Sequence, residues 1–189
     1  MAWRRSAAGV VNAWAIALLV ALAALAAAPA AARQQVDSSP EAVKAAFLFN
    51  FAKFTNWPAF EPGAPLELCV VGDNRVATAL ADTVRGHQVG DRLVRVREMG
   101  SDGPLQSCHM LFVSKSETRS AQGVLDGLKT LPVLTVSDDR GFSRSAGIVE
   151  LFIDSGRMRF AINIKAGTRS GLHLSSRLLG LARIEGDRP

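Results

Sequence analysis

Acidic side chains follow two predicted strands, at positions where α/β proteins often bind ligands or perform chemistry. Gly72-Asp73 comes after a strand at 66–71, and Asp138-Asp139 comes after a strand at 133–136. No glycine-rich phosphate loop follows the first strand, and the order of acids and lysine differs from that of a phospho-acceptor site. We therefore interpret Asp73 as the cap of a turn and Asp138-Asp139 as a solvated loop.

The serines and histidines form no recognisable catalytic motif. The serines that follow predicted strands stand outside any Gly-x-Ser-x-Gly sequence. His87, His109 and His173 have no acidic partner close in sequence, and together with two cysteines they lack the spacing of metal ligands. The sequence therefore favours a non-enzymatic protein without a metal or other cofactor.

Three basic residues recur at intervals of four near the C-terminus: Arg169, His173 and Arg177. On a continuous helix they would share one face and could hold an anion. Gly171 interrupts this pattern, so the alternative is a set of surface charges around a buried leucine ridge. If the first interpretation holds, these residues could line a crevice together with Gly72, Asp73 and Asp138, and the protein would be a small-molecule binding module.

Two phenylalanines are candidate partner-binding residues. Phe142 stands between Arg140 and Arg144 in a predicted loop, and an aromatic side chain beside arginines is typical of an interface anchor. The alternative is that Phe142 folds back onto the core. Phe49 belongs to a predicted helix but points away from its apolar stripe, so we expect something besides the core to cover it. We therefore predict partner binding by Phe49, Phe142 and Arg144.

The helix that carries Phe49 lies in the segment 43–58, which contains four of the nine phenylalanines. Ser39 and Pro40 supply an N-cap and a first-turn proline, and Trp57-Pro58 should end the helix. The apolar stripe recurs at helical spacing and consists of Val43, Ala46, Phe47, Phe51 and Phe54.

Predicted strands and helices alternate through the rest of the chain. The strands are 66–71, 89–97, 109–113, 133–136, 148–153 and 158–164, and the helices are 75–84, 117–128 and 175–184. This alternation favours an α/β fold, with a single domain whose mostly parallel sheet is flanked by helices. Asp154-Ser155-Gly156 predicts that the last two strands form an antiparallel C-terminal hairpin at the edge of the sheet.

The first 32 residues have the pattern of a secretory signal peptide. Arg4-Arg5 precedes an apolar run at 10–28, and small residues follow up to Ala32, where we expect cleavage. The apolar run is also long enough for an uncleaved anchor. Residues 33–39 should form a mobile lead, and 40–186 should form the domain. Cleavage would remove both arginines and lower the net charge from +5 to +3, which gives no reason to expect nucleic-acid binding.

The only two cysteines are Cys69, inside the strand 66–71, and Cys108, just before the strand 109–113. An even number of cysteines in an exported chain suggests a disulfide, and neighbouring strands would bring the two within bridging distance. The bridge would close a loop of about 40 residues and contribute roughly 4 kcal/mol in the chain-entropy model. We favour a structural bridge over a redox-sensitive bond that controls partner binding.

Several segments, in their order and spacing, resemble the YfiR family of small periplasmic proteins. The segments are VKAAFLFNFAKFTNWP (43–58), PLELCVVG (65–72), CHMLFVS (108–114), PVLTVSD (132–138) and a closing stretch within 147–183 that includes GRMRFAINIKAGTRSGLHLSSRLLGLAR. The resemblance implies a disulfide between Cys69 and Cys108. Some members carry a second pair, for which this chain has no cysteines.

The resemblance also implies a function and partners. It implies a regulator that inhibits an inner-membrane diguanylate cyclase by binding the cyclase's periplasmic sensor domain, with effects on cyclic di-GMP signalling and biofilm formation. An OmpA-like outer-membrane lipoprotein would sequester the regulator and release the cyclase. A homodimer is also implied, with Phe49 in the phenylalanine-rich helix as our candidate interface residue.

Overall fold

The structure is a computed structural model that describes residues 39–58, 63–145 and 147–185. The predicted signal peptide and all of the predicted lead except Ser39 lie outside the described residues. The described helices are α1 (Pro40–Lys53), α2 (Asn74–Val84), α3 (Gln122–Leu128), α4 (Phe142–Ser145), α5 (Ile164–Arg169) and α6 (Ser176–Leu179), with a 3-10 turn at Leu105–Ser107. The strands are β1 (Thr55–Asn56), β2 (Leu66–Val71), β3 (Gln88–Val89), β4 (Arg92–Met99), β5 (Met110–Val113), β6 (Leu134–Ser137), β7 (Val149–Asp154), β8 (Arg157–Asn163), β9 (His173–Leu174) and β10 (Arg183–Glu185).

Eight of these strands form one sheet in the order β10-β8-β7-β6-β5-β2-β4-β3. Five neighbouring strands of this sheet, β7, β6, β5, β2 and β4, run parallel to one another. β3 is antiparallel to β4, and β8 is antiparallel to β7, whereas β10 runs parallel to β8. A second small sheet pairs β1 with β9. The predicted α/β fold with a mostly parallel sheet is confirmed.

The predicted hairpin is formed by β7 and β8, but it does not lie at the edge of the sheet. Ser155 and Gly156 both have positive φ, at 49° and 75°, as the favoured two-residue hairpin turns require. The edge strand is β10, which lies in a segment predicted to be helical. The helix prediction for 175–184 is wrong because Ser175 caps only one helical turn, and Arg183–Glu185 then gains backbone hydrogen bonds by pairing with β8.

The two faces of the sheet are covered by different helices, and each face has its own apolar core. On one face, α1 and α2 pack over Leu68, Val70 and Phe112. On the other, α3, α4 and the 3-10 turn pack over Cys69 and Leu111. We call these the α1 face and the α3 face. Both faces of the central strands are buried, and those strands are accordingly mostly apolar, as is typical of parallel sheets.

Helix α1 begins as predicted but buries a different set of residues, which shares only Phe51 with the predicted stripe. The Ser39 hydroxyl accepts the Ala42 N–H at 3.1 Å. The buried residues are Ala45, Leu48, Phe49, Phe51 and Ala52, whereas Ala46 is exposed. Phe49 is 8% exposed and packs within the α1-face core, and the additional cover that we predicted comes from side chains of the same chain. The His87 ring lies edge-on at 5.5 Å and Lys53 lies over the Phe49 ring.

Candidate functional site

A lysine joins the two acidic positions at the carboxyl ends of the parallel strands. Asp73 follows β2, Asp138 follows β6, and Lys44 reaches both from the first turns of α1. The Lys44 Nζ lies 2.6 Å from Asp138 Oδ2 and 4.0 Å from Asp73 Oδ2. The structure thus brings together residues that are 94 positions apart in the chain. No sequence pattern links Lys44 to these acids, which is why our sequence reasoning missed it.

Asp138 is a structural residue and not part of a solvated loop, so that interpretation is wrong. Its side chain is 15% exposed, and its second oxygen accepts the Lys115 N–H at 2.8 Å. Asp73 caps α2 by accepting the Val76 N–H at 3.2 Å, as predicted. With their oxygens engaged in this way, the two carboxylates attach α1 and α2 to the strand ends.

Gly72 lines an open cleft of about 900 Å³ whose charged side chains, Glu98 and Glu117 among them, are acidic and therefore do not favour an anion. Gly72 has φ +81°, and a Cβ added there would collide with the side chains of Glu117 and Ser114. The Ser114 and Ser116 hydroxyls lie 2.7 Å apart and satisfy each other. The close approach at Gly72 and the two serine hydroxyls therefore serve the packing of the loops.

Cys69 and Cys108 form a disulfide, as predicted. Their Cα atoms are 5.9 Å apart, and both residues are buried in the α3-face core. The bridge ties the middle of β2 to the residue that precedes His109 and β5. The preference for a purely structural bridge over a redox-sensitive bond that controls partner binding stays a prediction.

His109, next to the disulfide, holds three segments together. Its Nδ1 accepts the Glu67 N–H at 3.0 Å, and its backbone carbonyl accepts the Trp57 Nε1–H at 3.0 Å. Burial lowers the pKa of His109, and the nearby positive charge of Arg92 lowers it further. A neutral imidazole is needed for Nδ1 to accept a hydrogen bond. No role of His109 could be predicted from the sequence, because Glu67 and Trp57 are distant from it in the chain.

The proposed anion triad does not lie on one helix. Arg169 ends α5, His173 lies in β9, and Arg177 belongs to α6. Gly171, with φ +72°, separates the first element from the second. The chain enters α5 from the end of β8, which is antiparallel to β7, so this region lies toward the amino ends of the parallel strands. The triad therefore cannot line one strand-end crevice with Asp73 and Asp138.

Phe142 is not the exposed anchor that the sequence suggested. Its side chain is 2% exposed and packs in the α3-face core, which is the alternative that we had left open. The predicted loop forms the short helix α4, which is held by Ser143 Oγ–H donating to Glu150 at 2.9 Å. Arg144, by contrast, is exposed. Its role in partner binding stays a prediction.

Arg144 lines an open cleft that was not apparent from the sequence. The cleft has a volume of about 580 Å³ and lies on the α3 face, where α4 leaves β7, β8 and β10 uncovered. Its walls include Arg140, Arg144, Arg159, Arg183, Phe152 and Leu181. The four arginines come from three segments of the chain. Only Arg140 and Arg144 are close in sequence, so only this pair could be noticed in the sequence. We call this feature the arginine cleft.

The described residues contain neither a metal-ligand cluster nor a membrane-spanning helix. In the parts of the chain that the structure describes, no three His, Cys, Asp or Glu side chains are grouped so that they could hold a metal ion. Within the same residues, no helix combines the length and the apolar character needed to cross a membrane.

Comparisons with known proteins address the family. A crystal structure of a conserved domain protein from Vibrio cholerae is similar to this chain with a TM-score of 0.47 and 9% sequence identity. The similarity covers 77% of this chain and 60% of the Vibrio chain, so this protein spans less than two thirds of that one. A family model described as YfiR/HmsC-like matches residues 41–183, which include almost all of the described elements. The chain therefore belongs to the YfiR/HmsC-like family.

Proposed function

We propose that this protein is a periplasmic regulator that represses an inner-membrane diguanylate cyclase by binding the cyclase's periplasmic sensor domain. The observation that carries the proposal is the match to the YfiR/HmsC-like family over residues 41–183. Membership of that family supports a regulatory role in the periplasm in general, and the cyclase is the specific target that we propose.

The periplasmic location is supported by the disulfide and by the N-terminal sequence. Disulfides persist in oxidising compartments, and the Cys69–Cys108 bridge is built into the core. The basic, apolar and small-residue order of the first 32 residues matches a secretory signal peptide, which we propose is removed near Ala32.

Repression would work through binding and not through catalysis. A regulator shifts the cyclase toward its inactive state only by the difference between its affinities for the two states. An OmpA-like outer-membrane lipoprotein that binds the same regulator would lower its free concentration and release the cyclase. We also propose that the regulator is a homodimer. Because Phe49 is covered within its own chain, it is no longer our candidate for the dimer interface.

The alternative of an anion-binding module is weaker. It depended on Arg169, His173 and Arg177 sharing one helical face, and these residues lie on three separate elements.

Intracellular cyclic di-GMP tests the proposal. We expect its level to rise when the gene is deleted and to fall again when the full chain is restored. A version that lacks residues 1–32 should stay in the cytoplasm and fail to restore repression. Unchanged cyclic di-GMP on deletion would contradict the proposed function.

A further inference from the structure

We propose that the arginine cleft binds an acidic, extended segment of a partner protein. The inference rests on the proposed function in one respect, which is that the partner is the membrane protein under regulation or the lipoprotein that competes for the regulator. The cleft itself is defined by the geometry of β7, β8, β10 and α4.

The floor of the cleft is a part of the sheet that no described helix covers. Strand register places Phe152 of β7 opposite Arg159 of β8. Arg183 of β10 lies over the Phe152 ring at 4.2 Å. Helix α4 stops short of this area because its backbone is tied to β7 and β8. Ser143 donates to Glu150, and its carbonyl accepts from Asn163 at 2.9 Å.

The charges of the cleft are only partly balanced within the chain. Two carboxylates line the cleft beside the four arginines: Glu150, at one end, is buried and accepts the hydroxyl and N–H of Ser143, and Asp154 is exposed. Arg183 is paired with Glu185 at 3.0 Å. In the described part of the chain, no carboxylate lies within ion-pair distance of Arg140, Arg144 or Arg159, and all three are exposed. A concave surface with this excess of one sign attracts groups of the opposite charge.

Guanidinium groups favour carboxylates among the possible anions of a protein partner. Their planar forks donate two parallel hydrogen bonds to one carboxylate, and they are less strongly hydrated than lysine ammonium groups. Here arginines project from three elements around one cleft and so could bind several carboxylates of the same segment. An acidic segment therefore complements the surface better than a single small anion does.

The apolar side chains and the sheet edge favour a polypeptide over a lipid surface. Leu181 is 74% exposed and lines the cleft together with the half-buried Phe152. β10 is the last strand of the sheet, so its outer edge is unpaired among the described residues. An extended segment can pair with such an edge and place alternate side chains over the cleft. A flat bilayer cannot reach a concave floor in this way.

The first test measures carboxylate recognition directly. Protein that is expressed from the full gene and recovered from the periplasm is titrated into fluorescently labelled poly-L-glutamate, and binding is followed by anisotropy. The cleft variant is R144E/R159E. The matched control is R97E/R119E, which changes the net charge by the same amount but at two exposed arginines outside the cleft. Thermal unfolding of all three proteins verifies that each is folded.

We expect poly-L-glutamate affinity to fall about tenfold in R144E/R159E and less than about twofold in R97E/R119E. Equal losses in the two variants would mean that only net charge matters and would overturn the proposal. Cleft-dependent binding to phosphatidylglycerol vesicles without binding to poly-L-glutamate would assign the cleft to a membrane and overturn it too. A change from dimer to monomer in R144E/R159E alone, seen by sedimentation, would assign the cleft to a second copy of the chain, with the same consequence.

The second test separates the cleft from the proposed function. A deletion strain receives the wild-type gene, the cleft variant or the control variant, and cyclic di-GMP is measured. Repression by wild type and control but not by R144E/R159E supports the cleft. Equal repression by all three refutes the cleft and leaves the proposed function standing. Repression by none of them refutes the proposed function, and the poly-L-glutamate measurement still decides whether the cleft binds carboxylates.

Discussion

At the scale of single residues, Lys44 is a largely buried charge whose loss should lower stability. It lies between Asp138 and Asp73, and its side chain is 16% exposed. Lys44→Met would leave two close and poorly solvated carboxylates without their cation. We expect the free energy of unfolding, measured with urea, to fall by about 1–3 kcal/mol.

The control for this prediction is an exposed ion pair. Arg85 lies 2.6 Å from Asp82, but their side chains are 79% and 60% exposed. Arg85→Met should change the free energy of unfolding by less than about 1 kcal/mol, because exposed pairs contribute little. Equal effects of Lys44→Met and Arg85→Met would show that the contacts of Lys44 with Asp73 and Asp138 have no special structural role.

His109 should make stability depend on pH. Because the pKa of His109 is lowered in the folded state, the unfolded chain binds more protons between that lowered value and the ordinary pKa near about 6.5. Its contribution is therefore fully present above about pH 6.5 and is lost as pH falls toward the folded-state pKa. Wild-type protein should lose thermal stability across this window.

His109→Asn tests this assignment, since the Asn side-chain oxygen can accept the Glu67 N–H from nearly the position of Nδ1. Other groups titrate in both proteins, so the informative quantity is the difference between the two pH profiles. We expect Tm to fall less in the variant than in wild type between about pH 7.5 and pH 5. Parallel profiles would contradict the role of His109.

What the sequence could predict at this scale depends on how far apart the partners lie in the chain. The Ser39 and Asp73 caps involve residues three positions apart and were predicted. The Lys44–Asp138 pair joins distant segments, so local spacing carries no information about it. Periodicity identified α1 but not the burial of Phe49, because the pattern does not reveal that a second helix packs beside α1.

At the scale of elements, α4 depends on one close contact between Phe142 and Gly147. A Cβ at Gly147 would collide with the Phe142 ring, which fills the α3-face core. Gly147→Ala should therefore displace Phe142 and lower the free energy of unfolding by about 1–3 kcal/mol. Urea titration followed by circular dichroism measures this change.

Gly127 provides the matched control for Gly147. It lies within α3, and a Cβ there would meet nothing within 4 Å. Gly127→Ala should stabilise the protein by about 0.5–1 kcal/mol, because alanine restricts the unfolded chain and favours a helix. If both variants were equally stable, the packing that we describe for α4 would be incorrect.

Elements whose burial is uniform were predicted well, and the C-terminal region was not. β2 matches its predicted range because a strand buried on both faces is mostly apolar, and Glu67 is its one charged residue. The leucines of 175–184 resemble a helical stripe, yet Leu181 is largely exposed and the following residues form β10. Pairing with β8 is a long-range interaction that overrides local helix preference.

At the scale of the whole molecule, the disulfide should set much of the overall stability. It closes a loop between residues 39 positions apart, and a loop of this length corresponds to about 4 kcal/mol in the chain-entropy model. Cys69→Ala/Cys108→Ala should lower the free energy of unfolding by about that amount. Free thiols in wild-type protein recovered from the periplasm would show that the bond does not form in the cell.

The alternation of strands and helices was enough to predict the α/β sheet, because parallel strands need helical connections. It could not predict the arginine cleft, which depends on the register of β7 with β8 and on the position of β10. The family match over 41–183 supports regulation in general. The partner must come from experiment.

The regulator that we propose acts on the cyclase from the periplasmic side of the inner membrane. The most direct measurement adds purified periplasmic protein to the outside of spheroplasts from the deletion strain and follows cyclic di-GMP inside them. We predict that cyclic di-GMP falls as the protein concentration rises, and that heat-unfolded protein has no effect. Unchanged cyclic di-GMP at saturating protein, in spheroplasts that contain an active cyclase, would contradict the account.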